Sequence, residues 1–292
     1  MGESIAVIGL GQMGGAIAVR LHACGEDVVG YDVSAAARDG CAAQGLRVAP
    51  SMAEAVAGRT LILTSLPNSA SVDAVWAGPG GLGELAAPAQ LCVELSSIDP
   101  HTMQRVAQGV AARGAAVLDC PVSGSPAEAG QGKLVLIVGG APVDVERARP
   151  VLSRFGETIR VAGPVGTGKV VKICNNMMSM ANILVASEAF ALGTRAGVDP
   201  AMLFDILSVS GGRSSQFLKR FPWAIERDFE PRFKMELGEK DLALGVDLGR
   251  ACGMPTPVAS VAREMYATAL ASGLRGRDIV ALLQMYERWD AR

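Results

Sequence analysis

Ser4-Ile5-Ala6-Val7-Ile8-Gly9-Leu10-Gly11-Gln12-Met13-Gly14 decides the fold. A short apolar run ends on G-x-G-x-x-G, and a helical stretch, Gln12–Cys24, follows at once. In that strand–turn–helix setting each glycine has a job. Gly9 permits the tight turn, Gly11 lets the backbone approach a pyrophosphate, and Gly14 lets the helix pack closely on the strand. The first helical turn then offers unpaired N–H groups and a positive dipole end to phosphate oxygens, so Leu10, Gln12 and Met13 join the three glycines as expected cofactor contacts. A second apolar run, Val28-Val29-Gly30-Tyr31, ends at Asp32 about 20 residues beyond the glycines, where a ribose-binding carboxylate belongs. A carboxylate accepts hydrogen bonds from both ribose hydroxyls and repels a 2′-phosphate. Val33-Ser34-Ala35 after it carry no base, so NAD is expected over NADP, with Arg38 read as a solvated helix residue.

The alternation continues outward from this unit. Asp27–Tyr31, Thr60–Ser65, Leu91–Leu95, Ala115–Asp119, Leu134–Val138 and Thr158–Val161 are apolar runs without period-two alternation, as expected of strands covered on both faces. Ser34–Ala43 and Pro100–Arg113 read as helices between them. Beyond Gly163 no run is convincingly strand-like. Lys169–Ala196 reads as one long helix, followed by helices near Pro200–Leu207, Gln216–Glu226, Met235–Ala251, Thr256–Ala271 and Arg277–Trp289. The expected fold is an α/β, Rossmann-type doubly wound sheet over residues 1–163, then an all-α domain over 164–292. A long helix, about 168–196, joins them after the turn Gly163-Pro164-Val165-Gly166-Thr167-Gly168.

Composition narrows the classes of function. The 292 residues are 50% hydrophobic and 19% charged, ample for two packed domains and unlike a disordered chain. Lys plus Arg number 27 and Asp plus Glu 29, a net charge of −2, and only 4% of residues are aromatic; neither suits a nucleic-acid-binding surface. Six cysteines without CxxC spacing and two histidines read as reduced thiols and no metal site, in a cytoplasmic protein without a signal peptide. The long helix is apolar on most sides, yet it carries Lys172, Asn175, Asn176, Asn182 and Glu188, which argue against a membrane span. A soluble helix of that kind must be covered, and a partner subunit is the economical cover, so a homodimer or homotetramer is expected.

Two stretches outside the nucleotide motif carry chemistry. Lys172 and Asn176 stand four apart on the long helix and share a face. A lysine in apolar surroundings loses its charge more readily, which suits a general acid/base, and the asparagine amide can orient a hydroxyl; the same spacing also serves a lysine that snorkels to solvent. Asp119-Cys120-Pro121-Val122-Ser123-Gly124-Ser125 follows a strand, where doubly wound folds place ligands. Its Ser-Gly turn offers a hydroxyl and N–H groups to a carboxylate, or is an ordinary turn. Gly163–Lys169 matches the GxxxxGK of a P-loop, but Val170 stands where Ser or Thr would hold magnesium, so a nucleoside triphosphatase is disfavoured.

The chain resembles the β-hydroxyacid dehydrogenase family from end to end. Gly9–Gly14 resembles its dinucleotide motif, Asp119–Gly124 its D-x-P-V-S-G substrate motif, and Gly166–Asn176 its G-x-G-x-x-x-K-x-x-N-N catalytic motif, while Phe233, Leu237, Lys240 and Asp241 match F-x-x-x-L-x-x-K-D. The resemblance implies Lys172 as the catalytic lysine and Asn176 as a catalytic and substrate-binding asparagine. It implies Ser123 and Gly124 at the substrate carboxylate, and Lys240 closing the site near the nicotinamide. Leu66-Pro67-Asn68 and Ser96-Ser97 resemble loops lining the cofactor, which implicates Leu66, Pro67 and Ser97. Ser125 stands where the family has a further glycine, and Ser97 where it often has threonine. Arg213, between helices in a region that lines the family's pocket, is a candidate anion ligand or a solvated surface arginine. The implied activity is reversible NAD-linked oxidation of a small 3-hydroxy acid. The alternatives are a semialdehyde or glyoxylate-type reductase, an imine reductase, which commonly lacks the lysine, or a non-catalytic NAD-binding protein.

Overall fold

The structure is a computed structural model that describes residues 3–289. The chain forms two compact units, divided between Lys172 and Ile173.

The first unit runs β1 (Ser4–Ile8), α1 (Gln12–Ala23), β2 (Asp27–Tyr31), α2 (Ala35–Ala42), β3 (Arg47–Val48), α3 (Met52–Val56), β4 (Leu61–Thr64), α4 (Ser69–Ala77), α5 (Leu82–Leu85), β5 (Leu91–Glu94), α6 (Pro100–Ala111), β6 (Ala116–Asp119), β7 (Val122–Ser123), α7 (Pro126–Gln131), β8 (Leu134–Gly139), α8 (Pro142–Phe155) and β9 (Gly156–Gly163). Among the described residues these strands make one nine-stranded sheet in the order β3-β2-β1-β4-β5-β6-β8-β7, with β9 on β8. The first six strands pair in parallel, with Ile8 opposite Tyr31 on one side and Thr64 on the other. The order therefore reverses between β1 and β4, and the crevice beyond their C-terminal ends is where such sheets bind ligands.

Burial on both faces explains the continuous apolar runs. Ile5 and Val7 point to one face, where Ile17 and Leu21 of α1 and Leu152 and Phe155 of α8 cover them. Ala6 and Ile8 point to the other, against Trp76 of α4 and Val106 and Val110 of α6. One departure from a wholly parallel sheet occurs. β8 runs antiparallel to β6 and β7, because the six-residue α7 is too short for a parallel crossover. The two-residue strands β3 and β7 have no sequence periodicity to betray them.

The chain then enters α9 (Thr167–Arg195), a 29-residue helix. The expected division at residues 163 and 164 falls in the turn before this helix; the first turns of α9 instead pack with the sheet unit. The second unit contains the rest of α9, then α10 (Pro200–Val209), α11 (Ser215–Ile225), α12 (Met235–Ala251), α13 (Pro257–Ala269) and α14 (Leu282–Arg288). Its core gathers Ile183 and Phe190 of α9 with Phe217 and Phe221 of α11, Leu242 of α12 and Tyr266 of α13. The Phe190 and Phe221 rings meet edge to face at 5.2 Å. The stretch expected as a single helix over Arg277–Trp289 opens as a 3₁₀ turn, Ile279–Ala281, capped by the Asp278 side chain, which accepts the Val280 N–H, and continues as α14.

By length and composition α9 is apolar enough to cross a membrane. Its buried Lys169, Lys172, Asn176 and Ser187 mark it as the core helix of a folded protein.

Candidate active site

The nucleotide crevice is built from the β1–α1 turn. Gly9 has φ +93°, and a Cβ there would stand 2.2 Å from the Ser65 carbonyl oxygen; at Gly14 it would stand 2.0 Å from the Gly9 carbonyl oxygen. At Gly11 it would meet no protein atom within 4 Å, so the space beside this part of the turn is open. Gly11 is the N-cap of α1 and gives no side-chain cap, leaving first-turn N–H groups for an anion. These features fit a dinucleotide pyrophosphate.

Asp32 is oriented by its own backbone. The Leu10 N–H donates to Oδ2 at 2.7 Å and the Ser34 N–H to Oδ1 at 2.8 Å. The carboxylate thus reports the glycine loop's shape while keeping lone pairs for ribose hydroxyls. Arg38, expected in solvent, instead donates to the main-chain oxygens of Asp32 at 2.6 Å and Val33 at 3.3 Å, and so braces the same turn.

Leu66, half-buried, follows β4, and its N–H donates to the Ser96 hydroxyl at 2.7 Å. Pro67 is exposed beside it, and Asn68 caps α4 by accepting the Ser71 N–H at 2.9 Å. Ser97, half-buried, sits at the end of the adjacent β5. Both loops therefore lie at strand C-terminal ends on the β4 side of the reversal.

Ser123 lies on β7 opposite Val135, and Gly124 follows it. Ser125, the departure from the family pattern, is the N-cap of α7 in a capping box: its hydroxyl accepts the Glu128 N–H, while the Glu128 carboxylate accepts the Ser125 N–H at 2.6 Å. Its φ of −100° needs no glycine. Cys120 is wholly buried, and burial pushes its thiol up to about 12, which removes it as a nucleophile.

Asp119, fully buried at the end of β6, holds the start of α9. Its Oδ1 accepts the Gly166 N–H at 2.7 Å and Oδ2 the Lys169 N–H at 2.9 Å. Burial raises its carboxyl above the usual range, against the pull of Lys169 and of those N–H groups. Lys169 itself is 0% exposed. Its ammonium donates to the main-chain oxygens of Glu94 at 2.9 Å and Ser96 at 2.8 Å and to the Glu94 carboxylate. Three donors are thereby used, so the lysine of the P-loop-like stretch has none left for a phosphate. Lys172, 8% exposed, lies one turn further along α9.

In the second unit Asn176 is buried and locked. Its amide nitrogen donates to Asp241 Oδ2 at 2.6 Å, and its oxygen accepts from the Asn175 amide at 2.9 Å. Lys240 of α12, half-buried, ion-pairs with the other Asp241 oxygen at 3.0 Å. Asp241 was not among the expected contacts, although it closes the F-x-x-x-L-x-x-K-D match. Arg213 is exposed and donates to the Ser208 carbonyl at 3.3 Å.

Residues 4–163 match the NAD binding domain of 6-phosphogluconate dehydrogenase, and residues 166–286 match a domain described as the NAD-binding of NADP-dependent 3-hydroxyisobutyrate dehydrogenase. The chain is 33% identical to a 2-(hydroxymethyl)glutarate dehydrogenase of Eubacterium barkeri, over 97% of this chain and 95% of that one. It is also 33% identical to an NAD-dependent L-serine dehydrogenase of Pseudomonas aeruginosa, over 98% of each. A structure of Mycobacterium tuberculosis 3-hydroxyisobutyrate dehydrogenase with L-serine superposes with TM-score 0.90 at 32% identity, covering 98% of this chain and 99% of that one. Solved imine reductases stand further off, at 16–20% identity, which shows the fold alone. With a nucleotide crevice built for a dinucleotide and relatives matched over almost its whole length, the chain belongs to the β-hydroxyacid dehydrogenase family, of the 3-hydroxyisobutyrate dehydrogenase type.

Proposed function

We propose that Lys172 carries the acid–base step of this NAD-linked hydroxy acid dehydrogenase, acting on the hydroxyl of a small 3-hydroxy acid. The observation that carries the reading is a nearly buried lysine one helical turn from Asn176, whose amide is held in one orientation by Asp241. NAD, held by Gly9–Gly14 and Asp32 with Leu66, Pro67 and Ser97 beside it, supplies the hydride acceptor. Lys172 as the neutral amine takes the hydroxyl proton during oxidation, and as the ammonium returns a proton to the oxygen during reduction. Asn176 orients that oxygen. Ser123 and the N–H groups at Gly124 bind the carboxylate, which fixes the carbon skeleton and so the face presented to the cofactor. Lys240 ion-pairs with Asp241 and so shares the carboxylate that holds Asn176. Arg213 is exposed enough to take an anionic group at the far end of a longer substrate.

The test is NADH formation by purified protein with NAD⁺ or NADP⁺ and 3-hydroxyisobutyrate, 3-hydroxypropionate, serine, glycerate, threonate or 4-hydroxybutyrate. One of the 3-hydroxy acids with NAD⁺ should stand at least tenfold above the rest in kcat/KM. Turnover with NADP⁺ alone would overturn the role of Asp32.

The protein works as a cytoplasmic homo-oligomer in this reading. Met178, Val185 and Leu192 repeat every seven residues along α9 and are 68%, 61% and 68% exposed; α10 adds Met202, Ile206 and Val209 on its own exposed face. An apolar stripe of that length on a soluble helix calls for a second copy. Val185→Glu combined with Leu192→Glu should lower the mass seen by light scattering to that of a monomer. An unchanged mass would reject this interface.

A further inference from the structure

Lys169 and Glu94 pose an energetic puzzle. Both side chains are fully buried, and they lie 75 residues apart in sequence. Taking a lysine and a carboxylate out of water costs several kcal/mol per ion, and a packed apolar pair of the same volume is often as stable or more so. Stability alone therefore gives little reason for this pair. What such pairs supply is registry, because charge-assisted hydrogen bonds hold their partners at fixed distances and angles.

The registry in question joins three parts of the crevice within the first unit. Glu94 ends β5, and its carboxylate accepts the Ser96 N–H at 3.0 Å on each oxygen as well as the Ser96 hydroxyl. Ser96 in turn accepts the Leu66 N–H, which starts the loop after β4. The Lys169 ammonium then takes the Glu94 carboxylate and two main-chain oxygens of the same corner. On its other side, the Lys169 N–H is held by Asp119 at the end of β6. Every polar group in this chain of contacts has a partner, so the network has one arrangement and no slack.

We propose that Lys169 is a positioning residue: through its ammonium it fixes the loops after β4 and β5, which line the dinucleotide, to the turn of α9 that carries Lys172. The inference rests on the reading of Lys172 and of those loops given above. Lys169 touches neither substrate nor cofactor. It sets the distance between the cofactor-bearing loops and the proton-transferring amine, where a displacement near 1 Å is enough to cost about 100-fold in rate.

The test compares Lys169→Met, Glu94→Gln and the double variant with wild type. Tm is read first, and then three quantities well below each protein's melting temperature: NADH affinity by fluorescence titration, kcat, and KM for NAD⁺. Each single change leaves an unbalanced buried partner and lowers Tm. The double variant should recover most of that Tm, yet keep kcat about 10- to 100-fold down and NADH affinity several-fold weaker, because the registry is still missing. A double variant with wild-type kcat and NADH affinity overturns the proposal and leaves the pair a structural one. So does a folded Lys169→Met with unchanged kinetics. If the wild-type protein turns over no hydroxy acid, the reading of Lys172 has failed, and NADH affinity decides this proposal alone: weakened in the double variant it stands, unchanged it falls.

Discussion

Lys172→Ala should abolish turnover and leave the nucleotide site as it was. General acid–base help contributes about 10²–10⁴ in rate, so kcat should fall by at least that factor, or roughly 3–5 kcal/mol of transition-state stabilisation. NADH affinity should stay within about twofold of wild type, because the proposed pyrophosphate and ribose contacts are the β1–α1 turn and Asp32, not Lys172. Lys172→Arg sharpens the result. A guanidinium keeps the positive charge but cannot give up a proton near neutral pH. If proton transfer is the lysine's task, arginine is as inactive as alanine. If arginine restores turnover to within tenfold of wild type, the residue acts by charge alone and the acid–base assignment fails. The pH profile provides a third reading. Under the proposed role of Lys172 oxidation requires the neutral amine, so kcat/KM for the hydroxy acid should rise with pH in wild type, and that limb should vanish in both variants.

The legible and illegible parts of this molecule divide along a physical line. β1, β2 and the glycine turn were readable because a strand buried on both faces is a short apolar run and a turn that receives phosphate needs glycine at set positions. The spacing of Lys172 and Asn176 was readable because both lie on one helix, where four residues make a turn. What escaped were contacts between residues remote in sequence. The Lys169–Glu94 pair spans 75 residues, and Lys169 was legible only as part of a misleading P-loop pattern. Arg38 is a local exception: its partners, the Asp32 and Val33 carbonyls, lie only six and five residues back, but a guanidinium bent onto main-chain oxygens leaves no residue pattern to read. Ser125 looked like a disturbed glycine position, yet Ser-x-x-Glu over Ser125–Glu128 is a capping-box signature that could have been found. Asp241 was in view as a motif residue, but its grip on Asn176 needed α9 and α12 side by side.

Asp278→Ala should be the most damaging single change to the second unit, and its place in that unit shows why. Asp278 is fully buried between Arg277 and Ile279, in a stretch expected to be ordinary helix. Its carboxylate accepts from Arg220 Nη1 at 2.7 and 2.6 Å, from the Arg232 and Phe233 N–H groups at 2.9 Å each, and from the Val280 N–H at 3.1 Å. One side chain thus neutralises a buried guanidinium, secures the loop that leads into α12, and starts the 3₁₀ turn before α14. Removing it strands a buried cation and three N–H groups at once, a loss of about 3–5 kcal/mol, or on the order of 10 °C in Tm. Arg220→Met removes the cation but leaves Asp278 with its three backbone donors, so it should cost clearly less. Equal losses in the two variants would mean that only the ion pair matters and that the backbone contacts add nothing. The consequence reaches the proposed chemistry, because Asp241 of α12 holds the Asn176 amide and the entry to α12 is fixed by Asp278. A partly destabilised Asp278→Asn, still folded in the cold, should therefore lose Asn176 orientation before it loses the nucleotide site, with kcat falling while NADH affinity holds. Loss of NADH affinity first would place the weak point in the sheet unit instead.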